Sequence, residues 1–255
     1  MTDVLRYRDL VRALVARDLK VRYRRSTLGF VWTMLQPLLM MLVLRTVFSA
    51  VFRSDSMLNY PVYALAGILF WNFFSQSIVT SMNSLRSNAI LLQKLPVPKA
   101  VFPLATVLSG VINLLFAMVP LFLLLLISRH PITPALFFLP VSIFLATLFT
   151  LGAGLMLAPL AVFFTDTVEM IGVVLTLLFY LTPVIYPKDI VPERMRWIVR
   201  FNPIRSILEV FRDPIFYGKV PPLSHLAVCT SIAVIAFVLG AWVFRRSSDR
   251  IPFYV

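Results

Sequence analysis

The chain has 255 residues, 60% of them apolar and only 14% charged, with a mean hydropathy of +0.89. Soluble chains average about 45–50% apolar and about 25% charged, so this composition excludes a soluble domain, a disordered chain and a collagen-like fibre. The single cysteine, Cys229, excludes an internal disulfide framework, and a net charge of +13 in so apolar a chain points to anionic lipid rather than nucleic acid.

The first 30 residues carry eight basic side chains. On a helical projection, Val4, Tyr7, Leu10, Val11, Leu14 and Val15 share one arc, and Arg6, Asp9, Arg17, Lys20 and Arg24 crowd the other. This is the pattern of a helix lying in the membrane interface. Asp18 and Arg22 fall inside the apolar arc, four residues apart, a spacing that suits a helical ion pair. The arm has no apolar core and no small-residue cleavage site, so no cleavable signal peptide is expected and Met1–Val255 reads as the mature chain of an inner membrane.

A hydrocarbon crossing needs roughly 20 apolar residues with few charges. The gaps between charges predict six spans, at 31–52, 61–84, 101–127, 136–164, 169–186 and 223–244. Arg45 lies inside the first, toward its outer end, within snorkelling reach. The window around 169–186 is barely long enough and carries Pro183. None of the windows shows the period-2 alternation of a membrane barrel. Six spans put both termini on one side. Cytoplasmic termini leave 14 basic residues inside and nine outside, seven of these nine in the long segment 188–219. The excess of Lys and Arg on cytoplasmic loops therefore favours that orientation.

Between the second and third spans, Leu91, Leu92 and Leu95 form an apolar knob at helical spacing, closed by Pro96. It suits either a groove on a partner protein or the headgroup surface. Segment 188–219 holds 11 charges in 32 residues, yet its apolar residues keep helical spacing. Asn202 is the expected N-cap and Pro203 the first-turn residue of a helix carrying Ile204, Ile207, Leu208 and Phe211. Before it, residues 192–200 present Met195, Trp197, Ile198 and Val199. Two short amphipathic helices at the outer surface, a lid or re-entrant hairpin, are expected.

Reactive chemistry is sparse. His130 and His225 stand far apart at span edges, and Asp166 with Glu169 reads as helix capping at the turn after the fourth span. No metal site is predicted. The phosphate-cradling motif G-x-x-x-x-G-K-[ST] does not occur, and no ionisable residue stands near mid-bilayer to couple an ion. Energy for uphill transport would have to come from a partner. What remains within the spans is Trp32, Thr33 and Gln36, then Trp71, Asn72, Phe73, Phe74, Gln76 and Asn83, then Tyr180 and Tyr186. Aromatic faces beside amides suit a carbohydrate lining. By default they are also the residues of interfacial belts and lipid-facing surfaces.

The run ARDLKVRYRRSTLGFVWTMLQPL, residues 16–38, closely resembles the approach to the first span in the membrane subunits of polysaccharide ABC exporters. These are the permeases of O-antigen, capsule and teichoic-acid export. The resemblance continues through residues 67–74, 95–99, 182–187 and Asn202-Pro203, nearly the whole chain in order. It implies an all-α membrane protein of six spans in a single domain, with residues 1–30 as an interface helix. It makes 86–98 the coupling helix, docking on a separate nucleotide-binding subunit through Leu91, Leu92, Lys94 and Leu95. Residues 188–216 become a pair of periplasmic gate helices carrying Trp197, Phe201, Ile204 and Phe211.

Two copies would form a homodimeric pore, lined by Trp32, Gln36, Phe70, Trp71, Phe74, Tyr180 and Tyr186. Two ATPase chains would bind the ATP and Mg, leaving no cofactor in this one. The implied cargo is an undecaprenyl-linked polysaccharide, O-antigen foremost, threaded stepwise through the pore. By charge, Arg22, Arg24 and Arg25 are candidates for the pyrophosphate of its lipid. The alternatives are an ABC permease for a small amphiphile or lipid, and an ATP-independent channel. One departure is visible: family members often show Arg-Asp after the fourth span, where this chain has Thr165-Asp166.

Overall fold

The computed structural model describes residues 7–23, 29, 31–51, 60–94, 97–187, 191–251 and 254. All regular structure among them is helical. Among the described residues, four stretches are long and apolar enough to cross a membrane: Tyr60–Ser87, Val101–Ile127, Pro134–Phe163 and Leu223–Ser248. Each occupies one of the long uncharged windows, because only there can the chain run 18 residues or more without a charge in hydrocarbon.

Helix α1 (Arg8–Tyr23) precedes α2 (Val31–Val51), which contains Pro37. The central helix is α3 (Tyr60–Ser87), buried along most of its length. A short α4 (Ala89–Lys94) follows, then α5 (Val101–Ile127). A 3-10 turn at Pro134–Phe138 leads into α6 (Leu139–Phe163), followed by α7 (Thr167–Leu181). Helices α8 (Arg196–Phe201) and α9 (Pro203–Arg212) precede the last long helix, α10 (Leu223–Ser247).

The core is in two main parts. The larger joins α3, α5 and α6 with α9 around Phe70, Phe74, Leu121, Ile207 and Phe211. The second gathers Val11, Leu14 and Val15 of α1 with Leu92, Phe102, Val162, Phe244 and Ile251. Helix α1 and the chain beyond α10 therefore meet at one end of the bundle. The apolar arc of α1 packs on protein at that end. The ion pair expected between Asp18 and Arg22 does not form: Asp18 accepts from Arg17 Nη2 at 2.9 Å instead. Arg17 also reaches Asn88 Oδ1 at 2.7 Å, so the adjacent cation takes the carboxylate as part of a tertiary contact.

Helices α6 and α10 cross where both lack side chains. A Cβ on Gly240 would stand 2.0 Å from the Gly152 carbonyl oxygen, so the backbones touch. Close approach through small residues is how helices associate where lipid removes the hydrophobic drive. Much of α10 otherwise faces outward through Val228, Ile235, Val238, Leu239 and Trp242.

Helix α7 is shorter than the predicted 169–186. Its 15 residues span about 22 Å at 1.5 Å per residue, against a hydrocarbon core of about 30 Å. The helix stops because Pro183 has no N–H and disfavours helical geometry in the residue before it. Thr182 is accordingly extended, with φ −102° and ψ 134°. The chain then turns back over the start of α3. At the other end of α7, Asp166 occupies the N-cap position without a side-chain capping bond. Its carboxylate accepts from Thr165 Oγ1 at 3.2 Å, so the capping expected of this turn is not made by that side chain.

Candidate functional site

At the end of the bundle remote from α1, one cation joins three segments. Arg212, at the end of α9, is 2% exposed. It donates from Nη1 to the Pro183 carbonyl at 2.9 Å and from Nη2 to the Val184 carbonyl. Its guanidinium lies 3.8 Å over the Tyr63 ring. The Tyr60 and Tyr63 hydroxyls donate to the carbonyls of Ile185 and Tyr186, at 2.9 and 3.1 Å. Gly67 leaves the room, since a Cβ there would stand 2.1 Å from Arg212 Nη2 and 2.2 Å from the Val184 oxygen. Burial lowers the Arg212 pKa from its usual value, and Tyr63, Tyr217, Glu209 and Asp213 act in the opposite direction. Carbonyls that the end of α7 leaves unpaired thus find a fixed donor.

Asn202 does what its position predicted. Its Oδ1 accepts from the Ile204 N–H at 3.0 Å, and its Nδ2 donates to Thr182 Oγ1 at 2.8 Å. The cap of α9 is therefore also a clamp on the chain leaving α7. Ile204 and Phe211 face the core, whereas Trp197 and Phe201 are 63% and 80% exposed. The four residues expected to act together as gate side chains divide into two anchors and two exposed rings. Beyond α9, a π turn at Asp213–Tyr217 places Phe216 against Tyr63 and His130, whose Nε2 lies 2.9 Å from the Phe216 carbonyl. His130 is buried.

Tyr180 and Tyr186 are brought together. They share a cleft of about 260 Å³ with Val191, Pro192, Ile198 and Val199, and the Tyr186 hydroxyl donates to the Tyr180 carbonyl at 2.7 Å. Tyr180 is exposed and Tyr186 half-buried. The other predicted lining rings are placed differently. Phe70, Trp71 and Phe74 are buried within the chain, with Phe74 stacked on Phe149 at 5.6 Å and Trp71 edge-on to Phe179 at 5.4 Å. In this structure they are core. Trp32 and Gln36 are exposed on α2, and Gln36 shares a groove with Arg22. Arg24, Arg25 and Leu95 lie outside the described residues.

At the α1 end, the predicted apolar knob is rearranged. Leu92 is buried against the α1 cluster, Leu91 is half-buried, and Lys94 is exposed. The apolar side chain left outward on α4 is Ile90, 69% exposed. The six-residue helix turns one face to solvent, and the other joins the cluster that holds Val11 and Leu14 of α1. Asn88, just before α4, accepts from Arg17 and donates from Nδ2 to the Ser84 carbonyl at 2.7 Å. Helices α1, α3 and α4 are thereby tied at one residue. Sequence reasoning missed both Arg17–Asn88 and Arg212. The available signal for Arg212 was a basic residue four positions after Leu208, at the edge of an otherwise apolar arc.

Residues 9–216 match the ABC-2 type transporter family. The chain is 29% identical over 245 residues to an O-antigen export system permease protein of Klebsiella pneumoniae, covering 95% of this chain and 93% of that one. It is 30% identical to a protein of the same description from Myxococcus xanthus, with 97% and 96% covered. A polysialic acid transport protein of Escherichia coli is 22% identical, over 94% and 93%.

Proposed function

This chain belongs to the ABC-2 type transporter family of membrane subunits, and we propose that it is the permease of an ATP-driven polysaccharide exporter, with O-antigen as cargo. The similarity to O-antigen export permeases over nearly the whole length of both chains carries this reading. In it, α2, α3, α5, α6, α7 and α10 make six passes through the inner membrane, with both termini cytoplasmic. The short α7 completes its crossing with residues 182–187.

Two copies of the chain enclose the pore, and two ATPase chains bind ATP and Mg on the cytoplasmic side. Helix α4 is the contact to that ATPase, through Ile90 and Lys94 on its outward face. Leu91 and Leu92 seat it on the bundle. Movement of α4 reaches α1 and α3 directly through Asn88. Helices α8 and α9 are the periplasmic gate. Arg212 and Asn202 fix the gate to the chain leaving α7, so α7 and the gate move as one body.

A long glycan cannot be enclosed in an alternating pocket, so it is threaded in steps. Tyr180, Tyr186, Trp197 and Phe201 are the rings that offer CH–π faces to passing sugars near the exit. Trp32 serves the same role on α2, and Gln36 offers its amide to sugar hydroxyls. Stacking of this kind is tolerant of sugar identity, which permits sliding. Phe70, Trp71 and Phe74 support the wall from behind. Arg22, Arg24 and Arg25 attract the carrier pyrophosphate.

Inactivating the gene in its own bacterium tests the assignment. Loss of surface polymer with accumulation of lipid-linked glycan inside the cell is the predicted result. Unchanged surface polymer, with altered export of a small amphiphile, would overturn it.

A further inference from the structure

Helix α3 has two faces of opposite character. Its aromatic residues enter the core, whereas Asn72, Gln76, Thr80, Asn83 and Ser87 fall within one arc of about 80° at about 100° per residue. Thr106, Ser109 and Asn113 of α5 line the same space. With Gln36 of α2 and Arg22 of α1, these residues enclose a groove of two lobes that share Arg22, Thr80, Thr106 and Asn113. The wider lobe, which Asn83, Ser87 and Ser109 line, has a volume of about 550 Å³ and opens beside Arg17 and Asp18; Asn72 and Gln76 stand at the inner lobe, of about 70 Å³, beside Leu69, Phe73 and Leu114. Asn72 stands 12 residues into α3, about 18 Å along the helix, so the groove reaches the middle of the bundle.

Polar groups at this depth are costly unless they are paired. Thr80 and Asn83 satisfy part of their capacity on their own helix, donating to the Gln76 and Val79 carbonyls at 2.8 and 3.0 Å. Ser77, 1% exposed, lines the groove with a hydroxyl that has no hydrogen-bond partner among the described residues. Gly110 makes room for that hydroxyl, because a Cβ there would stand 2.3 Å from it. The amides of Asn72 and Gln76 form no hydrogen bond among the described residues. Arg17 is engaged by Asp18 and Asn88. Arg22 is the cation of the groove without a carboxylate partner among the described residues.

An acyl chain in this groove would leave the amides unpaired. Its lining asks for a ligand with several hydroxyls, each both donor and acceptor, next to one anion. We propose that the groove is a loading site for a glycosyl-phosphate lipid headgroup. Arg22 takes the phosphate at the mouth, and the facing polar sides of α3 and α5 take the hydroxyls of the first sugar. This rests on the polysaccharide-export reading and adds a site within one protomer, separate from the aromatic exit. The two halves of the ligand are read by different residues, so they can be weakened separately.

The test uses the chain purified with its ATPase in lipid nanodiscs and two probes, farnesyl pyrophosphate and the same lipid carrying N-acetylglucosamine. The wild type should bind the sugar-bearing probe about tenfold more tightly. Asn72→Leu with Gln76→Leu should abolish that preference while leaving farnesyl pyrophosphate binding unchanged. Arg22→Gln should weaken both probes by the same factor. Thr80→Val, nearly isosteric, should give part of the sugar-specific loss and guards against misfolding of the double variant. Three results overturn the proposal: no preference in the wild type, a preference that survives in the double variant, or its erasure by phosphatidylglycerol. If the ATPase copurifies and the variants change nothing, only the groove assignment fails. If no ATPase copurifies and neither probe binds, the export reading fails with it.

Discussion

Replacing Arg212 by Met keeps most of the side-chain volume and removes the guanidinium that joins α9 to residues 182–187. The Pro183 and Val184 carbonyls then lose their donors, at about 1–3 kcal/mol each. The lost stack on Tyr63 adds about 0.5–2 kcal/mol. Relief from burying a charge offsets part of this, leaving about 3 kcal/mol. At roughly 2–4 °C per kcal/mol for a chain of this size, melting should fall by about 6–12 °C in detergent. A cysteine at Ile185 should become more reactive to maleimide in the same variant. Gly67→Ala should release the same segment, because its Cβ would stand 2.2 Å from the Val184 oxygen. The two substitutions act on one contact, so their effects should be far from additive. A melting temperature within about 2 °C of wild type, with unchanged labelling at position 185, would refute the clamp.

Four further expectations follow from other contacts. Gly240→Leu forces apart the α6–α10 crossing and should prevent stable folding, read as loss of the monodisperse peak on size exclusion, whereas Val238→Leu on the exposed face should be silent. Asn202→Ala removes the cap of α9 and the bond to Thr182; it should lower stability by about 1–2 kcal/mol, measured as thermal melting with Asn202→Asp as the cap-preserving control. Ile90→Asp, on the outward face of α4, should leave expression and melting unchanged while reducing polymer-stimulated ATPase at least tenfold. Tyr180→Ala with Tyr186→Ala should slow export of long glycan chains more than short ones, visible as a shortened length distribution of surface polymer on gels.

The all-helical character was legible because hydrocarbon tolerates few charges: the windows at 56–85, 100–128, 130–165 and 220–244 each hold one long apolar helix. The N-cap at Asn202 was legible because its chemistry is local. Residues whose role depends on a distant partner were not. Arg212 looks like one more surface cation until residues 183 and 184 fold over it, and Arg17 preferred the adjacent Asp18 and distant Asn88 to any helical pattern. Pro183 was visible, but the five residues 182–186 that it diverts from α7 were counted into the span because hydropathy does not register a broken helix. Phe70, Trp71 and Phe74 went from expected lining to core for a related reason. A lipid-facing, pore-facing or buried phenyl ring carries the same hydrophobic signal, and only packing separates them. The polar arc on α3 shows as periodicity, yet the facing arc on α5 becomes meaningful only once the two helices lie side by side.

The proposed function requires this chain to be coupled to an ATPase. Tagged protein drawn from its native membrane in mild detergent, with an Ile90→Cys crosslink to capture weak contacts, tests that most directly. The expected result is a stoichiometric companion carrying a phosphate-binding G-x-x-x-x-G-K-[ST] motif, whose hydrolysis rises when lipid-linked glycan is added. A pure, stable dimer that retains no ATPase even after crosslinking would contradict it and identify a channel instead.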